Sequence, residues 1–544
     1  MSSDPGVAEM DRLRPQLEAT AMPESLGAFV RECAATRGDK ILGNWFDEGE
    51  TLTYRQLDEY ADRLASSLVR LGVRKGTHVA VMLPNVPAFP ITWVAIGRIG
   101  AVMIPVNAAY TADELHFVLS DSDAQFLVID AGLIGSYEAM ENRPPLLDDT
   151  RVIVHGDRNE GRAHWRALLD EGALPFEPPS AVSRTDLLNI QYTSGTTGFP
   201  KGCMLTHDYW VIIGQYAATF RDQWGGVKNS LIWAPFFYMD PMWQFLMIMR
   251  LGGTAHVARR ISLTRFYDWL KDYEINYCIF PEPALKARPA SSADKELHLT
   301  YVSIYGWSRE ARCEVQERFD VVAREGYGMT EIGGATLVPA AAEAKALERT
   351  CGLPAPFRHL RIVDEAGNDV PTGQTGELWV SGRSILWGYY KRPEANADSF
   401  RGEWFRTGDV FRRDEDGYYY IVGRIKDMIK RSGENIAAQE VEAVLRLLPE
   451  VEEAAVVPVP DPMRSEEVKA YLLLKAGTDR DACPPETVIE HCKAHLAAFK
   501  IPRFIAYVDD FPRTPSRKIQ KRVLIEEAED LRAGSYDRQE ARWL

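Results

Sequence analysis

The stretch Tyr192-Thr-Ser-Gly-Thr-Thr-Gly-Phe-Pro-Lys-Gly202 packs three glycines, four Ser/Thr hydroxyls and a lysine into eleven residues. Gly195, Gly198 and Gly202 let backbone amides approach an anion closely. Thr193, Ser194, Thr196 and Thr197 add hydroxyl donors, and Lys201 adds positive charge. The apolar run 187–190 ahead of it reads as a strand. Together these residues make a polyphosphate cradle at the end of a strand. The cradle is not the Gly-Lys-Ser/Thr loop that opens a helix, because Pro200 precedes Lys201 and Gly202 follows it.

Strands and helices alternate on the N-terminal side of this loop. Leu57, Tyr60, Leu64, Leu68 and Leu71 recur at helical spacing over residues 53–72, entered at Thr53. Residues 78–82 read as strand, 88–99 as helix, 101–105 as strand, 111–120 as helix and 124–129 as strand. Such alternation implies βαβ units and largely parallel sheet. From about residue 350 the character changes. Short strands at 361–363, 376–380 and 418–422 lie between Gly- and Asp-rich turns, which marks a β-rich module. The charged run Arg424-Ile-Lys-Asp-Met-Ile-Lys-Arg431 follows, and then a compact α+β pattern. The expected architecture is α/β. It has a large N-terminal domain, residues 1–425, of parallel-sheet βαβ subdomains with a β-rich module at about 350–425. A smaller mobile α+β C-terminal domain spans 426–544.

A net charge of −15 over 544 residues argues against a nucleic-acid binder, which shows a basic face. Seven cysteines without a CxxC spacing favour free thiols over a disulfide framework, and zinc is not expected. The polar, acidic N-terminus does not read as a signal peptide. The apolar stretch 87–106 is interrupted by Arg98 and reads as buried helix and strand rather than a membrane span. A cytoplasmic enzyme able to form a homodimer is expected.

Other segments repeat the theme of anion chemistry. Tyr327-Gly-Met-Thr-Glu331 offers a ring to stack on a purine and a hard carboxylate for Mg²⁺. The same residues also read as a helix start capped by Thr330. Asp409, after Arg406-Thr-Gly, has the chemistry to accept ribose hydroxyls, though Asp after Gly is also common in turns. Lys518 can offset the repulsion between a carboxylate and a phosphate.

As an ordered set these stretches resemble the acyl-adenylate-forming superfamily: acyl-CoA synthetases, peptide-synthetase adenylation domains and beetle luciferases. The set comprises Leu52-Thr-Tyr54, the 192–202 loop, 327–331, Gly376-Glu377, Arg406-Thr-Gly-Asp409, Gly423-Arg424-Ile-Lys-Asp427 and Pro512-Arg-Thr-Pro-Ser-Arg-Lys-Ile519. The resemblance implies an ATP-dependent acid–thiol ligase that uses Mg²⁺ and coenzyme A. It implies that Thr193, Ser194, Gly195, Thr196, Thr197, Gly198, Lys201, Tyr327, Gly328, Thr330, Glu331, Asp409, Arg424 and Lys518 surround ATP. Thr193, Glu331 and Lys518 would be catalytic, with Glu331 also holding the metal. Lys426 matches a hinge, and Ser432, Gly433 and Glu434 would line the tunnel for the pantetheine arm of CoA. Arg517 stands where glycine is commoner.

The acid pocket is expected around Tyr238, Asp240, Gly306 and Trp307, with added bulk at Tyr238 and Trp307 favouring a compact acid. Local residues also resemble crotonobetaine/carnitine–CoA ligases. Trp233, Phe236, Phe237, Tyr238 and Trp243 surround Asp240 in sequence, a pattern that suits a quaternary ammonium. Asp240 before Pro241 equally reads as a helix N-cap with proline at the first helical position. Small aromatic and short branched acids remain alternative substrates. A stand-alone adenylation enzyme loading a carrier protein, and a non-catalytic nucleotide-binding protein, remain alternative functions.

Overall fold

The computed structural model describes residues 4–157, 161–193, 200–431, 434–514 and 517–544. Local signals set the first βαβ units. Thr53 caps the helix Tyr54–Arg70 in a capping box with Gln56, and Thr111 does the same with Glu114 for Ala112–Asp121. The helix Ala88–Ile99 is buried along its whole length, which explains its unbroken apolar sequence. Its one charge, Arg98, is buried and pairs with Asp62 at 2.6 Å.

Two seven-stranded sheets form the N-terminal body. The first orders its strands Ala163–His164, Val152–His155, Phe126–Asp130, His78–Met82, Val102–Pro105, Leu187–Thr193 and Lys201–Thr206. It is parallel up to the last pair, Leu187–Thr193 against Lys201–Thr206, which is antiparallel with Thr193 opposite Lys201. The strands on either side of the glycine-rich segment are therefore antiparallel neighbours at a sheet edge. The second sheet orders Val322–Arg324, Tyr301–Ser303, Tyr277–Ile279, Asn229–Ile232, Thr254–Val257, Ile41–Trp45 and Glu50–Thr53.

An antiparallel five-stranded sheet, including Arg358–Val363, Thr375–Gly382, Trp404–Arg413 and Tyr419–Arg424, supplies the β-rich part. After a single turn, Ile425–Asp427, the chain enters a further mixed sheet. That sheet, with the helices Ala438–Leu445 and Pro485–His495, encloses its own apolar core around Ile429, Leu445, Val456 and Leu472. Among the described residues no helix is long and apolar enough to cross a membrane.

One buried side chain ties the two large sheets together. The Asn85 amide donates to the carbonyls of Ala234 at 3.0 Å and Ala258 at 2.9 Å, and its oxygen accepts from the Phe236 amide at 2.8 Å. This fixes the aromatic segment 233–238. Asn85→Ala leaves three buried backbone groups without partners and is expected to cost about 2–4 kcal/mol. Urea unfolding followed by tryptophan fluorescence measures it; a loss below about 0.5 kcal/mol would show that packing alone holds the segment.

Candidate active site

Three segments distant in sequence meet beside the hairpin. The stretch 387–390 runs along the strand Lys201–Thr206, with Trp387 N–H donating to the Met204 carbonyl at 2.9 Å and Tyr390 N–H to that of Gly202 at 2.8 Å. This placement puts the Tyr389 ring 4.2 Å from the Lys201 ammonium. The Tyr389 hydroxyl donates to Glu331 Oε1 at 2.8 Å. Glu331 itself is buried. Burial pushes its carboxyl above the usual range, while the Tyr389 hydrogen bond and the charges of Lys201 and Arg424 oppose that shift. Thr193 Oγ1 lies 3.4 Å from the Lys201 carbonyl, across the hairpin. Ser194, Gly195, Thr196, Thr197 and Gly198 fall outside the described residues, as do Ser432 and Gly433.

Residues 326–337 form a hairpin rather than a helix start: Gly326–Met329 pairs antiparallel with Gly333–Leu337. The capping reading of Thr330 is thereby corrected, since Thr330 and Glu331 sit in the turn. Gly328 is required, because a Cβ there would come 2.4 Å from the Gly333 carbonyl oxygen. The Tyr327 hydroxyl donates to Asp409 Oδ2 at 2.5 Å, and its ring meets Phe411 edge-on at 4.8 Å. Asp409 stands directly across the ladder from Arg424, and their charged atoms approach to 3.0 Å. Among the described residues Asp409 Oδ1 has the Arg424 ion pair and no aligned hydrogen bond, so it keeps the capacity to accept from a hydroxyl. The conformation rests on Glu377, which accepts from Gly408 N–H at 3.2 Å and from Arg406 at 3.1 Å. Two of the short motifs thus hold each other.

The acid-pocket residues divide. Tyr238 and Tyr305 are 37% and 44% exposed, yet burial raises the pKa of both hydroxyls. Both hydroxyl-bearing rings are thus open to solvent on one side and desolvated on the other. Asp240 shares this character: it is exposed, and burial raises its carboxyl while Trp243 and the charge of Lys518 lower it. Its expected role as an N-cap is corrected. Tyr238 is the N-cap of Met239–Leu251, and Asp240 Oδ1 accepts from the Trp243 indole at 2.9 Å instead. Trp307 is also corrected: it packs into the second apolar core, edge-on to Phe280 at 6.0 Å, and adds no bulk to the cleft. Phe236 and Phe237 likewise point into the main core. Gly306 lies at the cleft with φ +72°, its N–H donating to Glu325 Oε1 at 2.7 Å.

Lys518 is exposed in a turn closed by Thr514 N–H donating to its carbonyl at 2.8 Å. Arg517 adopts φ +66°, a left-handed conformation that explains why glycine suits this position better. Lys426 is exposed in the turn between the two C-terminal sheets. Glu434 begins the strand Glu434–Ala437. Tyr389, Tyr305 and the Glu325–Arg312 pair were not apparent in the sequence; an aromatic pair before Lys391 was the one signal for Tyr389.

Residues 30–390 match the model of the AMP-binding enzymes, and residues 440–518 that of the AMP-binding enzyme C-terminal domain. The chain is 31% identical over 492 residues to a crotonobetaine/carnitine–CoA ligase of Salmonella agona (strain SL483), covering 87% of this chain and 92% of that protein. The anthranilate CoA ligase AuaEII, solved with anthranoyl-AMP, superposes with a TM-score of 0.82 at 22% identity, over 94% and 98% of the two chains. The o-succinylbenzoate CoA synthetase of Bacillus subtilis, solved with ATP and magnesium, gives 0.77 at 24% identity over 91% and 98%.

The Tyr389–Glu331 bond has a pH signature. A carboxyl whose folded pKa is raised adds stability below its unfolded value and loses it as pH rises through the folded value. Tyr389→Phe removes a donor to the ionised form and raises that pKa further. The variant is expected to lose about 1.5–3 kcal/mol at about pH 8, and little near the usual glutamate value of 4.5. Urea midpoints at the two pH values check this, and equal losses at both would remove Glu331 from the explanation.

Proposed function

The chain belongs to the AMP-binding enzyme family of AMP-forming acid–CoA ligases, and from that premise we propose that it activates a small carboxylic acid as its acyl-adenylate and transfers the acyl group to coenzyme A. The observation that carries this reading is the meeting of two sites. Glu331, Lys201, Asp409 and Arg424 form one electrostatic group, and the Tyr209 hydroxyl joins it to the acid cleft, lying 3.0 Å from the Thr330 carbonyl and 3.4 Å from Met239 Sδ.

In the first half-reaction a carboxylate oxygen attacks the α-phosphorus of ATP and pyrophosphate leaves. Tyr327 and Asp409 suit adenosine, Asp409 accepting a ribose hydroxyl and Arg424 holding the carboxylate in place. Thr193, Ser194, Gly195, Thr196, Thr197, Gly198 and Lys201 cradle phosphate, and Gly328 and Thr330 leave room beside it. Glu331 would hold Mg²⁺, a hard carboxylate for a hard cation, and the ion would neutralise phosphate charge. Lys518 brings positive charge to the acid cleft, where its field already reaches Asp240. Its role is to offset anion repulsion as the carboxylate meets phosphate. In the second half-reaction the CoA sulfur attacks the acyl carbonyl and AMP leaves. Lys426, in the turn between the sheets, is the pivot that swings residues 426–544 so that Ser432, Gly433 and Glu434 face the thiol's path. A betaine- or carnitine-type acid is a second reading of the substrate, favoured by the open Asp240 carboxylate; small aromatic and short branched acids are further candidates.

Lys518→Ala is expected to slow adenylation by several hundredfold, about 3–4 kcal/mol, while sparing thioester formation from ready-made acyl-AMP. Pyrophosphate exchange within about threefold of native would overturn the assignment. Lys426→Pro should separate the halves the other way, because proline fixes φ near about −65° and blocks rotation. Acyl-AMP would still form and thioester formation collapse; equal loss of both would place the pivot elsewhere.

A further inference from the structure

Arg221 ends the helix His207–Arg221 beneath the acid cleft. Its guanidinium lies over the rings of Trp243 at 5.0 Å, Tyr277 at 5.4 Å and Tyr301 at 5.8 Å. Nε donates to the Tyr277 hydroxyl at 3.1 Å, Nη2 to Ser303 Oγ at 3.1 Å and Nη1 to the Ala217 carbonyl at 3.3 Å. Tyr277 and Ser303 are buried and 2.9 Å apart, so the head group is held rigidly. Among the described residues no carboxylate stands within ion-pairing distance of Arg221, whereas the buried Arg98, Arg318 and Arg431 each pair with one at 2.6 Å; the buried Arg324 and Arg358 spend their donors on backbone carbonyls instead. A guanidinium has five N–H donors. Three are spent on protein, which leaves one on each Nη, the pair that grips a carboxylate in a two-pronged fashion.

The surroundings point the same way. Tyr305, 44% exposed, lies within electrostatic reach of both Asp240 and Arg221. Trp243 is shared: its indole N–H goes to Asp240 and its face to Arg221. The ring face that would receive a quaternary ammonium is therefore already covered by the protein's own cation. Asp240 has the Lys518 charge to balance it, and Arg221 has no acidic counterpart. An uncompensated cation in a desolvated aromatic cleft attracts anions and repels cations.

We propose that Arg221 is a specificity-determining residue that anchors a second carboxylate at the far end of the substrate, so that the acid activated is a short dicarboxylic acid rather than a betaine. The proposal rests on the ligase reading above. It makes the two carboxylates unequal: one meets Lys518 and ATP, the other is gripped by Arg221 and left unreacted.

The test compares succinic, glutaric and adipic acids, each with its monomethyl ester, and trimethylammoniobutyrate, using pyrophosphate release with the full-length protein, ATP, Mg²⁺ and CoA. For the best diacid, kcat/KM is expected to exceed that of its monoester by about tenfold or more, because the ester leaves the arginine unpaired. In Arg221→Met that ratio should fall below about twofold, and in Arg221→Lys it should lie between, since a lysine keeps the charge without the fork. The native ratio alone decides the matter if either variant fails to fold. A monoester or the trimethylammonium acid turning over as well as the diacid would overturn the role of Arg221 and leave the ligase standing. Pyrophosphate release with none of the acids, and with no aromatic or branched acid either, would overturn the ligase reading itself.

Discussion

A buried carboxylate must be paid for by partners, and the Glu331–Tyr389 hydrogen bond is the partner on which this site is built. Glu331 sits in a hairpin turn, Tyr389 on a segment that extends the neighbouring sheet, and Lys201 at the end of the glycine-rich hairpin. None of the three segments is adjacent in sequence, and each is fixed by backbone pairing before its side chain is used. The 387–390 stretch can dock only because its amides find the carbonyls of Met204 and Gly202. The result is a hard anion and a cation held close together with little freedom to drift, which is the preorganisation that phosphate chemistry needs.

The same logic governs the surroundings of Asp409. Asp409 is buried opposite Arg424, and Tyr327 donates to one of its oxygens, leaving the other without a hydrogen bond. A buried acceptor left open is costly unless something fills it. The cost is tolerable here because Arg424 stands 3.0 Å away and Glu377 locks the turn that carries Asp409. Stability and binding compete for the same atoms, and the turn is built so that the ligand finishes the network.

Much of this was legible in sequence because it is local. Thr53 and Thr111 announce their helices by capping boxes, and the strands 78–82 and 124–129 by apolar runs between polar turns; all appear within a residue or two of their expected bounds. What was not legible depends on partners across the fold. Asp240 before Pro241 has the local form of an N-cap, but the cap lies two residues earlier, at Tyr238, and the Trp243 indole captures the carboxylate. Trp307 reads as pocket bulk, yet a hydrophobic ring next to a core packs inward when its loop allows, and Glu325 with Arg312 anchors that loop from behind. Arg221 has no carboxylate within ion-pairing distance among the described residues, which no sequence pattern reports.

Charge balance then distinguishes the two ends of the acid cleft. At one end Asp240 and Lys518 offset each other, and that balance depends on where the C-terminal part sits, because Lys518 belongs to it. Lys518 is carried on a turn whose neighbour, Arg517, holds a left-handed φ of +66°, a conformation that costs a non-glycine residue about 1–2 kcal/mol. The turn is kept nonetheless by the Thr514 and Lys518 backbone bond and by the Arg513–Glu453 pair at 2.9 Å. At the other end Arg221 is fixed by helix, hydroxyls and rings that all belong to the N-terminal body. Movement of the C-terminal part would therefore strip Asp240 of its cation while leaving Arg221 untouched. Arg221 would keep its surroundings through such a movement while the Lys518 charge withdrew from Asp240, so the two cations belong to separate parts of the chain.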